Sequence, residues 1–495
     1  MSKTIIVGGG IAGLASAIRL RHAGIEVELF EQQDRVGGKM NVIEKDGFTF
    51  DTGPTIVMMP EEYRELFTLV GRNPDDYFTM SLMDPFFTMH YPDGTRLEMS
   101  SDLSKLMKVL ESVDANDAQG YLRYLSDVYG RYQIAHNHFL NRSFRSPWDF
   151  FNPKSLLQAY RLKSLDTAYK AISRYVKNDR LRKLFSFQTL YIGISPYAGP
   201  SIYSIIGMIQ LVYGVWFIKG GMIAYVNALE RLAQELGVVI HTNTKVDEIV
   251  VDNGKAMGIK VKGTVHRADN VLLNADFPSA IQQLVPQEKQ RKPYTDARID
   301  RMESSCSTFM MYLGIDRKLD KLDVHNLYFT EDFDRNINEI FEGTLPDDPS
   351  MYFYCPAKLD PSLAPEGQET LYVLVPIPNL KVMDEPWTDE TTQKYRKIVL
   401  ERIKKSGLMP DLEDHIVSET IWTPVDWESR FNAHFGATFG LAPTIGQSLV
   451  FRPQTTVKGI KNLYAAGSSI HPGAGVPIVM LSSKLAVADI LRDAQ

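Results

Sequence analysis

Residues 4–31 read TIIVGGGIAGLASAIRLRHAGIEVELFE and decide the fold. Residues 4–7 form a short apolar run of the kind found in fully buried parallel strands. Gly8, Gly10 and Gly13 then satisfy the pattern G-x-G-x-x-G. In that pattern the first glycine permits a tight turn, the second lets the backbone approach a pyrophosphate, and the third lets a helix pack closely on the strand.

Residues 12–23 read as the helix that follows these glycines, ending at Gly24 in the left-handed conformation. The N-terminus of this helix presents free N–H groups and a positive dipole end to a diphosphate. Glu31 closes the second strand 18 residues after Gly13, where a carboxylate accepts hydrogen bonds from a ribose diol. The order strand, glycines, helix, strand and acid predicts an α/β fold with a Rossmann-like dinucleotide-binding domain.

The composition of the 495-residue chain is that of a globular protein, with 44% hydrophobic and 23% charged residues. The net charge of −6 gives no reason to expect nucleic acid as a partner. Cys306 and Cys355 cannot form a disulfide framework, fit no metal motif and favour a reducing, cytoplasmic compartment. Because Met1–Lys3 leads directly into the first strand, we expect no signal peptide.

Two further glycine-rich segments indicate a flavin. Residues 34–39 (DRVGGK) follow the second strand at once, and a basic, glycine-rich loop at this point is typical of FAD rather than NAD. Near the end of the chain, residues 473–477 (GAGVP) precede an apolar helix over 478–491. A helix N-terminus there could stabilise negative charge on a reduced isoalloxazine. We interpret the nearby His471 as structural and Asp51, at a strand end, as a turn or cap residue.

The middle of the chain is a long helical stretch, roughly residues 102–213. Between residues 142 and 183 there are 11 Lys/Arg against 3 Asp/Glu, a local charge of +8. Phe144, Trp148, Phe150 and Phe151 lie at its beginning. A basic patch with aromatic neighbours in an acidic protein predicts attraction to an anionic membrane surface, whereas RNA binding lacks a recognition module.

Residues 202–218 (IYSIIGMIQLVYGVWFI) carry no charge. At 17 residues, with Gly207, Gln210 and Gly214 interrupting it, the segment is at the lower limit for a membrane span. We therefore predict a buried helix or the wall of a lipid cavity, and no transmembrane helix.

The remaining segments suggest three regions. Residues 238–241 and 246–251 read as strands that return the chain to the dinucleotide domain. Residues 307–313, 351–355 and 370–376 read as strands of a second, mixed sheet, with a helix over 393–405 against it. We expect an FAD-binding domain formed by residues 1–80, 216–300 and 430–495, a substrate domain formed by 81–100 and 301–429, and a helical, membrane-facing insertion at 101–215.

Together these stretches resemble the carotenoid-desaturase branch of the flavin amine oxidase superfamily, almost from end to end. The likeness extends through residues 48–54, 187–193, 199–204, 216–222 and 471–477, and is greatest to bacterial enzymes acting on C30 precursors such as dehydrosqualene. The resemblance implies FAD, a hydrophobic tunnel for a long polyene, peripheral attachment to the cytoplasmic side of the membrane and successive desaturations. One departure is that Ser468 and Ser469 stand where many relatives in the wider superfamily place an acid.

The motifs and the resemblance imply a set of cofactor contacts. These are Gly8, Gly10, Ile11, Ala12, Gly13, Glu31, Gln32, Arg35, Gly38, Lys39, Gly53, Pro54, Val246, Gly467, Gly475, Val476 and Pro477. No cysteine lies near the N-terminal glycines or residues 473–477, so we expect FAD to be bound non-covalently.

Desaturation of CH–CH removes a hydride, which flavin N5 can accept, and a proton, for which a weak base suffices. Asp149, among aromatic residues, is the candidate base; the alternative is an acid at the interfacial surface. The sequence predicts no metal site and names no final electron acceptor, for which quinone and oxygen are the options. Two other functions stay open: a diapocarotenoid terminal-methyl oxidase on the same scaffold, and a non-catalytic prenyl-lipid carrier.

Overall fold

The fold is described from a computed structural model that covers residues 2–494. The strands are β1 Lys3–Val7, β2 Glu26–Phe30, β3 Val42–Lys45, β4 Phe48–Asp51, β5 Met80–Leu82, β6 Phe87–His90, β7 Arg96–Met99, β8 Trp216–Ile218, β9 Val239–His241, β10 Glu248–Asp252, β11 Lys255–Val261, β12 Thr264–Arg267, β13 Asn270–Leu273, β14 Ser307–Ile315, β15 His325–Tyr328, β16 Met351–Tyr354, β17 Glu369–Ile377, β18 Ile416–Trp422 and β19 Leu463–Ala465. The α-helices are α1 Ile11–His22, α2 Pro60–Leu69, α3 Leu103–Val113, α4 Ala115–Ala135, α5 Pro153–Arg161, α6 Ala168–Ser173, α7 Asp179–Ser186, α8 Ile205–Tyr213, α9 Met222–Glu235, α10 Phe277–Leu284, α11 Asp296–Ile299, α12 Phe333–Glu342, α13 Asp389–Lys405, α14 Pro424–Phe431 and α15 Val476–Asp493.

A five-stranded parallel sheet in the order β19-β13-β1-β2-β9 carries the N-terminal motif. Alternate residues of β1 face opposite sides, as expected for a strand. Ile6 packs with α1, α9 and α15 on one side. Ile5 and Val7 pack with the antiparallel sheet β10-β11-β12 and α10 on the other. The sheet is thus assembled from the beginning, the middle and the end of the chain.

A second, seven-stranded sheet has the order β18-β14-β17-β16-β15-β6-β7 and is antiparallel except between β15 and β6. One face is covered by α13, whose Tyr395, Val399 and Ile403 pack on β14. The opposite face presents Met310, Tyr312 and other aromatic residues to a second core. This aromatic face is the one that reaches the candidate site.

Helices α3–α8 occupy the middle of the chain, between β7 and β8. Within residues 2–494, no helix has the length and apolar character needed to cross a bilayer. The uncharged segment 202–218 is divided into a short 3₁₀ turn, α8 and β8, and α8 buries Met208, Ile209 and Leu211. The predicted strand over 246–251 begins only at Glu248, which leaves Val246 in the connecting loop.

Candidate cofactor and substrate site

A cavity of about 460 Å³ lies at the carboxyl edge of the parallel sheet and extends to the aromatic face of the seven-stranded sheet. Its lining falls into two parts. The glycine cradle consists of lining residues that follow β1, β2, β9, β13 and β19 together with the segments 37–40, 53–54 and 474–477. The aromatic chamber consists of lining residues Phe187, Leu190, Tyr191, Met310, Leu327, Phe329, Phe333, Tyr352, Tyr372, Leu374, Trp427, Phe431 and Phe439.

The glycines of the first motif are required by close backbone contacts around Asn274. A Cβ at Gly8, where φ is +101°, would lie 2.2 Å from the Asn274 carbonyl oxygen. A Cβ at Gly10 would lie 2.9 Å from Asn274 Oδ1, and one at Gly13 would lie 2.3 Å from the Gly8 carbonyl oxygen. Gly8, Gly10, Ile11 and Ala12 line the cavity, whereas Gly13 packs behind it.

Glu31 is buried directly after β2 and lines the cavity. Its two carboxylate oxygens accept the backbone N–H groups of Gly9 at 2.7 Å and of Gln33 at 2.9 Å. A carboxylate has about four lone-pair sites, so these bonds leave capacity for further donors. The neighbouring Gln32 and, after β9, Val246 line the same end of the cavity.

Lys39 brings a half-buried cation to the cavity. Its Nζ donates to the Thr438 carbonyl at 2.8 Å and, at 3.4 Å, to the Ala437 carbonyl. Burial of this ammonium away from water lowers its pKa, and the negative charge of Asp276 partly opposes that shift. Gly38 accompanies Lys39 in the lining, but Arg35 does not: its side chain is exposed and its guanidinium lies 3.8 Å from the Glu44 carboxylate.

Two helix N-termini open into the cavity without a side-chain cap. Gly10 is the N-cap of α1, and Gly475, with φ of +109°, is the N-cap of α15. Val476 and Pro477 begin α15 and line the cavity, as does Gly467, whose φ is +142°. Two helix N-termini without an N-cap side chain in one cavity favour an anionic or electron-rich ligand.

Gly53 and Pro54 are the part of the cradle that contacts the chamber. A Cβ at Gly53 would lie 2.1 Å from the Lys39 carbonyl oxygen, and the Gly53 carbonyl accepts the Tyr372 hydroxyl at 3.0 Å. Nearby, Asp51 accepts the backbone N–H of Met222 at 2.8 Å, so it caps α9 as predicted. Burial raises the pKa of Asp51 to about 7.

Sequence reasoning missed Asn274 and Asp276, which line the cavity just after β13. Asn274 Oδ1 accepts the Gly13 N–H at 2.8 Å, and its Nδ2 donates to the Ala466 carbonyl at 2.9 Å. Asp276 accepts the Ser469 hydroxyl at 2.5 Å and the His434 N–H at 2.7 Å. The sequence did contain a signal for them, because both follow the buried strand β13, and polar residues directly after a buried parallel strand lie at the ligand-binding edge of the sheet.

Asp149 does not line the cavity. It completes a capping box in the turn Pro147–Asp149, where its carboxylate accepts the Ser146 N–H at 2.9 Å. Its other oxygen lies 3.7 Å from the Arg142 guanidinium. These contacts account for Asp149 without catalysis, and its role as a base stays a prediction.

His471 is buried outside the cavity, which agrees with its interpretation as a structural residue. Its Nε2–H donates to the carbonyls of Phe139 at 3.2 Å and Arg142 at 3.1 Å, and its ring meets Phe144 edge to face. Burial lowers the pKa of His471 to about 4.

The helical region exposes apolar side chains around α5. We call Trp148, Phe151, Leu156, Leu157, Tyr160 and Leu165 the α5 surface; Trp148, Tyr160 and Leu165 are 77%, 81% and 86% exposed. Two of the predicted membrane aromatics, Phe144 and Phe150, are instead buried. Seven of the 11 basic residues in 142–183 lie within 4.0 Å of acidic groups. The other four basic residues, Lys154, Arg161, Lys177 and Arg182, form no ion pair with the described acidic residues.

Comparison with known proteins places the chain among flavoproteins. Residues 11–491 match the profile of the family described as flavin containing amine oxidoreductase. The chain is 44% identical over 492 residues to the 4,4'-diapophytoene desaturase (4,4'-diaponeurosporene-forming) of Staphylococcus haemolyticus, covering 99% of this chain and 98% of that one. It is 45% identical over 496 residues to the protein of the same name from Staphylococcus aureus strain Newman, covering 99% of each chain.

Solved structures share the fold at much lower identity. An oxidoreductase from Methanosarcina mazei superposes with a TM-score of 0.65 at 17% identity, covering 99% of this chain and 100% of the other. Putrescine oxidase bound to putrescine gives a TM-score of 0.63 at 17% identity, with 99% of each chain covered. These likenesses support a mixed α/β architecture.

Proposed function

Since the chain belongs to the flavin containing amine oxidoreductases, we propose that it desaturates a C30 carotenoid precursor, converting 4,4'-diapophytoene to 4,4'-diaponeurosporene in successive steps. As a member of this family it is an FAD-dependent oxidoreductase. The observation that carries the substrate assignment is the end-to-end identity of 44–45% to desaturases of that name.

The glycine cradle suits FAD. We assign the diphosphate to the α1 N-terminus at Gly10–Ala12, the ribose of the adenosine to Glu31, and the flavin to the α15 N-terminus at Gly475–Pro477. Lys39 would place its half-buried charge beside an anionic or polarised edge of the bound cofactor. FAD, when bound, supplies a hydride acceptor for the carbon–hydrogen bond that breaks. Neither Cys306 nor Cys355 lines the cavity, which supports non-covalent binding.

The aromatic chamber suits an all-hydrocarbon substrate. Among the described lining residues, the only carboxylates are Glu31 and Asp276, and both belong to the cradle. A polyene offers no hydrogen-bonding group, so a wall of aromatic and aliphatic side chains binds it by burial of apolar area. The chamber therefore provides position and exclusion of water.

A substrate that dissolves in the bilayer requires contact with the membrane. We propose that the α5 surface inserts its exposed aromatic and aliphatic side chains at the cytoplasmic face, while Lys154 and Arg161 contact anionic headgroups. Each basic residue near such a surface contributes about 1 kcal/mol, which salt screens. The final electron acceptor, quinone or oxygen, is a further part of this proposal.

The test is incubation of the FAD-loaded protein with liposomes that contain 4,4'-diapophytoene. We expect absorption bands that move to longer wavelength as the conjugated system grows, with products of unchanged oxygen content. Gly10→Val is the control, because its side chain would occupy the space between α1 and Asn274 and prevent FAD binding. An aldehyde or acid product would instead favour a terminal-methyl oxidase, and an unchanged polyene would favour a carrier.

A further inference from the structure

A short chain of hydrogen bonds leads from the aromatic chamber into the seven-stranded sheet. The Tyr352 hydroxyl lies 2.7 Å from Thr55 Oγ1 and 2.6 Å from Nδ1 of His325. All three residues are buried. Thr55 and Tyr352 line the cavity, whereas His325 lies behind Tyr352.

His325 is an unusual residue to find in these surroundings. Its ring stacks on Tyr354 with centroids 4.9 Å apart and meets Phe87 at 5.3 Å. Its Nε2 has no hydrogen-bond partner among the described residues. Burial lowers the pKa of the imidazole to about 3, so the ring is neutral. Buried polar atoms are nearly always partnered, and an apolar ring would pack here without this cost.

The position of Tyr352 connects this chain to the chemistry. Thr55 directly follows Gly53 and Pro54, the segment that we assign to the cofactor. Tyr352 stands on β16 within the chamber that we assign to the polyene. Tyr372, which also lines the chamber, donates its hydroxyl to the Gly53 carbonyl. Among the described chamber residues, Tyr352 is the one whose hydroxyl meets an imidazole.

We propose that Tyr352 accepts the proton that the polyene loses during desaturation and passes its own phenolic proton to Nδ1 of His325. This inference rests on the desaturase function proposed above. The hydride leaves to the flavin, which is the two-electron oxidant. The adjacent C–H bond breaks in the same step, its electron pair forms the double bond, and the proton goes to Tyr352 Oη, so the rate of flavin reduction includes the proton transfer. Tyr352 is the catalytic residue and His325 the positioning residue that receives the relayed proton.

The weak basicity of His325 suits this task. A C–H bond beside an electron-deficient carbon is strongly acidic, so the reaction does not need a strong base. An imidazolium in this apolar site returns its proton readily, which restores the neutral pair after the product has left.

The experiment compares holoenzyme variants Tyr352→Phe and His325→Gln with wild type, in anaerobic single-turnover reduction of the flavin by substrate-loaded liposomes. We expect each variant to reduce the flavin about 10²–10⁴-fold more slowly, with the FAD content and substrate affinity unchanged. In D₂O the wild type should slow, and His325→Gln should lose this sensitivity because no relayed proton moves. Tyr395→Phe, which alters a buried tyrosine in another core, is the matched control.

Each outcome has one meaning. Absence of flavin reduction in the wild type would contradict the proposed function itself. Wild-type reduction with an unchanged rate in Tyr352→Phe would overturn the relay, as would a wild-type rate that is the same in H₂O and D₂O. If Tyr352→Phe does not retain FAD, the D₂O comparison of wild type with His325→Gln decides. A slow Tyr352→Phe with a normal His325→Gln would remove His325 from the relay.

Discussion

Asn274 joins two parts of the cradle through its side chain and touches a third through its backbone. Its side-chain amide connects Gly13 in α1 to Ala466 after β19, while its backbone carbonyl oxygen lies against Gly8. Replacement by alanine removes two hydrogen bonds worth about 1 kcal/mol each. We therefore expect Asn274→Ala to bind FAD about tenfold or more weakly, measured by titration of apoprotein. Asn116→Ala, on the exposed face of α4, is the control, and equal affinity of both variants would contradict the role of Asn274.

Asp149→Asn separates two roles of one carboxylate. A catalytic base predicts flavin reduction slowed by about 10²–10⁴-fold at unchanged FAD content. A capping residue predicts a normal rate and a loss of less than about 1 kcal/mol in the free energy of unfolding, because the amide oxygen of asparagine can still accept the Ser146 N–H. Stopped-flow reduction and thermal unfolding of the same preparation measure both. A normal rate would end the catalytic prediction.

The sequence predicts the residues of the site that belong to one local unit, and it misses those that are brought together by strand pairing. Gly8, Gly10 and Glu31 were predictable because their spacing belongs to one local unit of strand, helix and strand. Asn274 lies 261 residues from the Gly13 N–H that it accepts, so its role depends on β13 pairing with β1. Tyr352 and His325 are ordinary core residues by pattern, and their contact emerges only when β15 pairs with β16.

At the scale of an element, α5 and its flanks carry the proposed membrane contact. We expect Trp148→Ser with Tyr160→Ser to reduce flotation with anionic liposomes by about tenfold or more, because the contribution of large buried side chains is lost. Leu103→Ser, an exposed leucine on α3, is the control. Wild-type flotation should fall with added salt, and equal binding to neutral vesicles would contradict the contribution of Lys154 and Arg161.

The local charge of +8 did not show which basic residues of 142–183 lack an acidic partner. Several of these residues form ion pairs with acids that are distant in sequence, namely Asp93, Asp127, Asp334 and Asp493, so a count of charges could not identify the unpaired cations. Likewise, the presence of aromatic residues at the beginning of the basic stretch could not distinguish Trp148, which is exposed, from Phe150, which packs against Phe139 and Phe144.

At the scale of the whole molecule, the cofactor cavity draws residues from both ends of the chain. Lining residues extend from Val7 to Val479. A ligand that binds only the folded state stabilises it by about 4 kcal/mol at a thousandfold excess over its dissociation constant. We expect calorimetry to show a higher melting temperature for holoprotein than for apoprotein, increasing with free FAD. Acid precipitation should release the flavin into the supernatant, and a yellow pellet would contradict non-covalent binding.

The stability of the fold should also depend on pH through His471. Its pKa is about 4 in the folded protein against about 6.5 unfolded, so the neutral form is the one that the fold retains. Its contribution is complete above pH 6.5 and is lost as the pH falls toward 4. We expect wild type to lose more stability than His471→Gln between pH 7 and pH 4, measured by urea unfolding. If the free energy of unfolding fell equally with pH in wild type and in His471→Gln, His471 would make no such contribution.

His471 also lies in the loop between Gly467 and Gly475, while the carbonyls it holds belong to the residues that lead into the α5 surface. One imidazole therefore connects the flavin end of the cradle to the part of the chain that we place at the lipid. By thermodynamic reciprocity, any factor by which liposomes tighten FAD binding is the factor by which FAD tightens attachment to liposomes. An enzyme built this way would adjust its residence on the bilayer to its cofactor occupancy without a separate sensor.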